Sequence, residues 1–114
     1  MLAVKKKTMK TIVAIKNRDY WFKVVEMLQQ NWALIDKSND SDECIVYFIH
    51  DASGVFDRIQ FSSEKDASHA LKRNGFARYV EDKEAQKFIA PPKPLFFEDQ
   101  HPNGPIYSSG RYWR

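Results

Sequence analysis

All five prolines of this 114-residue chain lie in its last 24 residues, 91–114, with two of its four glycines. Proline fixes φ and donates no backbone hydrogen bond, so this stretch is rich in turns. It is also rich in rings: Phe96, Phe97, Tyr107, Tyr112 and Trp113, with the imidazole of His101. Disordered linkers are poor in aromatics, because they bury too little apolar surface to offset the entropy of ordering. Turns and rings together describe a segment wrapped on a surface, either its own domain's or a partner's.

The remaining length suits a single domain. Apolar residues make up 43% and charged residues 29%, enough of each for a packed core under a polar surface. The single cysteine, Cys44, excludes an intramolecular disulfide and points to a reducing, cytoplasmic location. No membrane span is expected: the apolar run at 45–49 is far short of the roughly 20 residues a helix needs to cross a bilayer.

The charge layout is dipolar along the sequence. Residues 1–23 carry a net +6, residues 24–57 a net −6 and residues 58–94 a net +3, with the rest neutral. An acidic middle segment counts against a uniformly basic binding surface.

Local patterns then place the elements. Residues 8–16 are β-branched and read as a first strand. From Tyr20 the apolar positions Trp21, Val24, Val25, Leu28 and Trp32 fall at i, i+3, i+4, i+7 and i+11. That spacing predicts an amphipathic helix, capped by Asn17 or Asp19 and covering a sheet. Residues 32–36 read as a short strand. Residues 44–50 are almost continuously apolar, as in a central strand covered on both faces. A tight turn at 51–54 and an alternating run at 55–61 complete an antiparallel hairpin.

The clearest local signal runs from Phe61 to Phe76. Ser63 is an N-cap with Asp66 three residues on, and Ala67, Ala70 and Leu71 form the buried stripe. Asn74-Gly75 ends the helix, with Gly75 in the left-handed position and Phe76 folding back on Leu71. A short strand at 77–80 and a short helix at 81–88 follow, ended by Pro91 and Pro92.

The expected fold class is therefore α+β: a small antiparallel sheet of about four strands with two main helices packed on one face, and an irregular Pro- and aromatic-rich C-terminal arm. The expected organisation is a flexible lead-in at 1–8, a core domain at 9–90, and the arm at 91–114, docked on the core or on a partner.

Chemistry-bearing motifs are sparse. There is no glycine-rich phosphate loop and no nucleophile elbow around Ser108-Ser109. Cys44 and His50 lie about 20 Å apart along a strand, and no His or Cys pair has the spacing of zinc ligands, so no metal or other cofactor is expected. Cys44 sits in an apolar strand, where a thiol is inert. An enzyme would need a pocket assembled from His50, Asp51, Tyr107, Ser108 and Arg111; no catalytic residue is assigned.

Binding is the expected role, and two classes compete. One is a protein-interaction module, with a protein partner or a homodimer, contacting through Phe96, Phe97, Tyr107, Arg111, Tyr112 and Trp113, since Tyr, Trp and Arg are over-represented as interface anchors. The alternative is a nucleic-acid binder using Lys5, Lys6, Lys7, Lys10, Arg58, Lys72, Arg73 and Arg78, with tail rings available for stacking.

Overall fold

The computed structural model describes residues 11–26 and 29–102. The lead-in at 1–8, Lys5, Lys6, Lys7 and Lys10, and at the other end Tyr107, Ser108, Arg111, Tyr112 and Trp113, lie outside the described residues.

The described chain runs β1 (Ile12–Val13), β2 (Trp21–Glu26), β3 (Gln29–Lys37), β4 (Cys44–Ile49), β5 (Gly54–Phe61), α1 (Glu64–Arg73), β6 (Ala77–Arg78), a 3-10 turn (Tyr79–Glu81), α2 (Lys83–Phe88) and β7 (Phe96–Glu98). The strands form one sheet in the order β1-β7-β5-β4-β3-β2-β6. All pairings are antiparallel except β5 with β7, which is parallel.

This corrects the expected four-stranded antiparallel sheet with two helices on one face. Seven described strands form a mixed sheet, and the first of the two expected helices is absent. Residues 21–26 and 29–37 form a long antiparallel pair instead, with Trp21 opposite Ala33 and Phe22 opposite Trp32. The reason is two-sided burial. Trp32, Ala33, Leu34 and Ile35 are consecutive and all buried. A strand covered on both faces reads as a continuous apolar run, which periodicity does not separate from a helix. The helical stripe joined Trp21 and Trp32, yet these residues belong to cores on opposite faces of the sheet.

The first core lies under α1. Ala67 and Leu71 of the helix and Phe76 beyond it meet Trp21, Ala33, Ile35, Cys44, Val46 and Phe48. The second core joins Ile15, Phe22, Trp32, Leu34, Ile49, Val55 and Phe96, with Tyr20, Tyr79, Ala85 and Ile89 packed against it. Thus α1 covers one face, and the 3-10 turn with α2 covers the other.

Helix α1 forms as its local signals require. The Ser63 side chain accepts from the Asp66 N–H at 3.1 Å. At the far end Gly75, at φ +92°, allows a Schellman ending. The Phe76 N–H reaches the Leu71 carbonyl at 2.9 Å, and the Gly75 N–H reaches that of Lys72 at 3.1 Å. The hairpin β4–β5 also forms, with Cys44 opposite Phe61. Of the strand expected over 8–16, the described residues 11–16 are β at Ile12–Val13, after which Ile15 turns into the second core.

The Pro-rich stretch is less separate than its composition implies. Phe96 and Phe97 enter the sheet between β1 and β5, so the start of the expected arm is docked on its own domain.

Candidate functional site

Buried polar side chains concentrate where β3 begins, β4 ends, β5 begins and β7 ends. Gln30, Asn31, His50 and His101 are buried there. Burying such groups is unfavourable unless each finds a partner, and none of the buried side-chain polar atoms described lacks one.

The turn after β4 supplies the centre. Asp51 accepts two hydrogen bonds from the start of β3: the Gln30 backbone N–H at 3.0 Å and the Trp32 indole Nε1–H at 2.8 Å. His50 Nδ1 accepts the Ala52 backbone N–H at 3.0 Å. That bond requires Nδ1 to be unprotonated, so the remaining proton sits on Nε2 and is donated to Asp99 Oδ2 at 2.9 Å. His101 Nε2 lies 2.7 Å from Asn31 Oδ1, an acceptor, and so donates to it. Its ring meets Phe56 edge-on at 4.8 Å.

This arrangement constrains the chemistry. A general base needs a ring nitrogen with an available lone pair aimed at substrate. Both nitrogens of His50 are already committed to the protein. Its carboxylate is Asp99, at the end of β7, and not its sequence neighbour Asp51. The other members of the pocket that an enzyme would need, Tyr107, Ser108 and Arg111, lie outside the described residues.

The grooves on the described surface include ones of about 320, 550 and 350 Å³. The first passes Cys44, Tyr47 and Gln60; the second Trp21, Lys72, Phe76, Arg78 and Lys83; the third Tyr20, Tyr79, Val80 and Pro91. Cys44 is buried, and burial pushes its thiol up, with Glu64 and Asp66 adding to the shift and Lys37 opposing it. The described residues hold no cluster of three His, Cys, Asp or Glu suited to a metal ion. No described helix is long and apolar enough to cross a membrane.

The described basic residues of the nucleic-acid set are spread over the sheet. Arg58, on β5, pairs with Glu98 and stacks over Tyr47 at 5.4 Å, on the α2 side of the sheet. Lys72 and Arg73 lie in the last turn of α1, on the other face. Arg78, on the edge strand β6, pairs with Asp19 at 2.5 Å and Glu81 at 2.9 Å. Its hydrogen bond to Asp19 holds its guanidinium pKa above the usual value. With β4, β3 and β2 between them, Arg58 and Arg78 are about 19 Å apart across the sheet. Lys72 and Arg78 share a groove.

The aromatic set divides as well. Phe96 is 1% exposed and belongs to the second core, so it is unavailable to a partner. This corrects its assignment as a contact residue. Phe97 is half-buried, with its ring 6.4 Å from that of His50.

Two large apolar side chains outside the expected contact set are exposed instead: Phe88 at 82% and Leu95 at 70%. They bracket Pro91, Pro92 and Pro94. Between them three carbonyls are held from below. Tyr79 Oη–H donates to Ile89 O at 2.7 Å, Tyr20 Oη–H to Pro92 O at 2.6 Å, and Ser53 Oγ–H to Lys93 O at 2.5 Å. Nothing in the sequence marks these tyrosines as pins, since Tyr20 lies 72 positions from its acceptor.

Comparison with protein-family models, with curated proteins and with solved structures gives no match.

Proposed function

We propose that the protein is a protein-interaction module whose contact element is the proline-stiffened segment 88–95, continuing toward the arm residues Tyr107, Arg111, Tyr112 and Trp113. The observation that carries this reading is the pair Phe88 and Leu95, both largely exposed, at either end of a segment pinned at three carbonyls. Leaving such a side chain in water forgoes about 1.5–3 kcal/mol of burial. Pinning and proline remove ordering entropy before any partner arrives, so more of that burial energy appears as affinity. The partner it fits is a protein surface with two apolar pockets, and a second copy of this chain is the occupant to test first. The single cysteine, buried and unpaired to another cysteine, fits a cytoplasmic setting.

Sedimentation velocity tests the reading, at protein concentrations up to about 100 µM, the weak end of specific association. The expected result is reversible self-association that weakens at least about tenfold in the double variant Phe88→Ser, Leu95→Ser, with an unchanged thermal midpoint. A monomer throughout the range rules out the homodimer. Micromolar binding to oligonucleotides with a steep salt dependence would replace the reading with the nucleic-acid alternative.

A further inference from the structure

Beside the exposed Phe88 runs the groove lined by Arg18, Tyr20, Tyr79, Val80, Gln86 and Pro91. Gln86 and Pro91 flank Phe88 in the chain, so the projecting ring and the groove share one patch of surface.

The walls are held by the chain's own hydrogen bonds. Tyr79 Oη–H donates to Ile89 O at 2.7 Å and Tyr20 Oη–H to Pro92 O at 2.6 Å. Gln86 Nε2–H donates to the Tyr79 carbonyl at 2.8 Å and to the Val80 carbonyl at 3.3 Å. These bonds engage the polar ends of three wall residues and leave ring and aliphatic carbon as their remaining surface. Val80, 62% exposed, adds an isopropyl group.

Arg18 sets the electrostatics. Its guanidinium lies over the Phe96 ring at 5.1 Å, and the residue is exposed along the groove. A cation at the rim attracts the negative face of an entering aromatic ring. A cavity of about 150 Å³ is enough to take benzene, so a groove of about 350 Å³ admits a phenyl group.

We propose that this groove receives Phe88 of a second copy of the chain, each copy giving its ring to the other about a two-fold axis. The proposal rests on the reading of residues 88–95 as a contact element and adds the surface that meets them. A two-fold interface is self-complementary, so one patch must carry both the projecting side chain and its receptor. Here one patch carries both. Two phenyl rings at about 150–250 Å² each, covering a similar area of groove wall, bury about 600–1,000 Å². That lies below the roughly 1,200 Å² of a standard interface, so the dimer is a weak and reversible one.

The chain's own C-terminal residues start from the wrong side for this groove. The described chain ends at Pro102, next to His101, whose ring meets Phe56 on the α1 face of the sheet. Tyr20 and Tyr79 pack on the opposite face.

Sedimentation velocity on two single variants and their mixture tests the pairing. Phe88→Ser removes the projecting ring. Val80→Arg crowds the groove and adds a second cation to its rim, while leaving residues 88–95 as they are. Each variant alone is expected to associate at least about tenfold more weakly than the parent, with an unchanged thermal midpoint. An equimolar mixture is expected to associate at least about tenfold more tightly than either variant alone. In the mixed dimer the Val80→Arg copy still gives Phe88, and the Phe88→Ser copy still has an unblocked groove. Val80→Arg associating like the parent, with Phe88→Ser weakened, would overturn the proposal and leave the contact element standing with another receptor. A mixture no tighter than its components would overturn the reciprocal pairing. A parent that stays monomeric throughout would rule out the homodimer and this proposal with it.

Discussion

His50 donates to Asp99, 49 positions further along the chain, at 2.9 Å, and the contact exists because residue 54 has no side chain. A Cβ at Gly54 would stand 2.1 Å from His50 Nε2 and 2.7 Å from Asp99 Cβ. Gly54→Ala must therefore displace the imidazole, the end of β7 or both. The expected cost is about 2–3 kcal/mol in urea unfolding, at the upper end of overpacking effects. A variant within about 0.5 kcal/mol of the parent would show that the ring swings aside without loss.

Gly75 is required for a different reason. Its φ of +92° is strained for any residue with a Cβ, whereas the nearest atom is the flexible Lys23 Cε at 3.3 Å. Gly75→Ala is expected to cost about 1–2 kcal/mol, and Gly75→Asn less, since asparagine tolerates the left-handed region better. Equal losses for the two would indicate crowding against Lys23 instead of backbone strain. Thermal or urea melts of the pair decide.

Phe96 and Phe88 should separate core from surface. Phe96 is almost fully buried, so Phe96→Ala is expected to cost about 3–5 kcal/mol. Phe88 is mostly exposed, so Phe88→Ser should leave monomer stability within about 0.5 kcal/mol. Unfolding curves at low concentration, where association is absent, give the comparison. A strongly destabilised Phe88→Ser would make that ring part of the fold and remove it from the contact element.

Asp51 ties the β4–β5 turn to β3 through the indole of Trp32, whose residue is fully buried. Asp51→Ala leaves that N–H without its acceptor and is expected to cost about 1–3 kcal/mol. Asp51→Asn retains one acceptor oxygen and should cost less. Near-ultraviolet circular dichroism of Trp32 alongside urea melts would show whether the indole keeps its setting.

Cys44 should be chemically silent in the folded protein. It is 2% exposed, and burial with Glu64 and Asp66 raises its pKa, which lowers the thiolate fraction at neutral pH. Its reaction with an aromatic disulfide reagent is expected to be roughly a thousandfold slower than in denaturant, limited by opening of the chain. Rapid labelling under native conditions would mean that the end of β4 opens locally.

Signals whose partners lie close along the chain are legible in its residues, and those whose partners lie far apart are not. Ser63, Ala67, Leu71, Gly75 and Phe76 lie within one helix and its caps, and they behave as read, because capping and left-handed endings involve partners three to five positions apart. The β4–β5 hairpin was legible for the same reason. The segment from Trp21 to Trp32 was not. Its apolar spacing suits a helix, and only the presence of material on both faces of the sheet makes consecutive buried residues the favourable choice.

The contact residues follow the same division. The residue types at 91–114 flagged a ring-rich, proline-rich segment, yet they did not place Phe96 in the core. By itself, the sequence determined the local elements whose turns and caps are written in adjacent residues, the concentration of proline and aromatic side chains near the C-terminus, and a single thiol with no disulfide partner. Only the tertiary structure decided that β7 enters the sheet beside β5, that His50 meets Asp99 and His101 meets Asn31, and that Arg58 stands on a different face from Lys72 and Arg73. Strand pairing and burial belong to pairs of distant residues. Their free energy depends on what the rest of the chain places opposite each one, which no local pattern records.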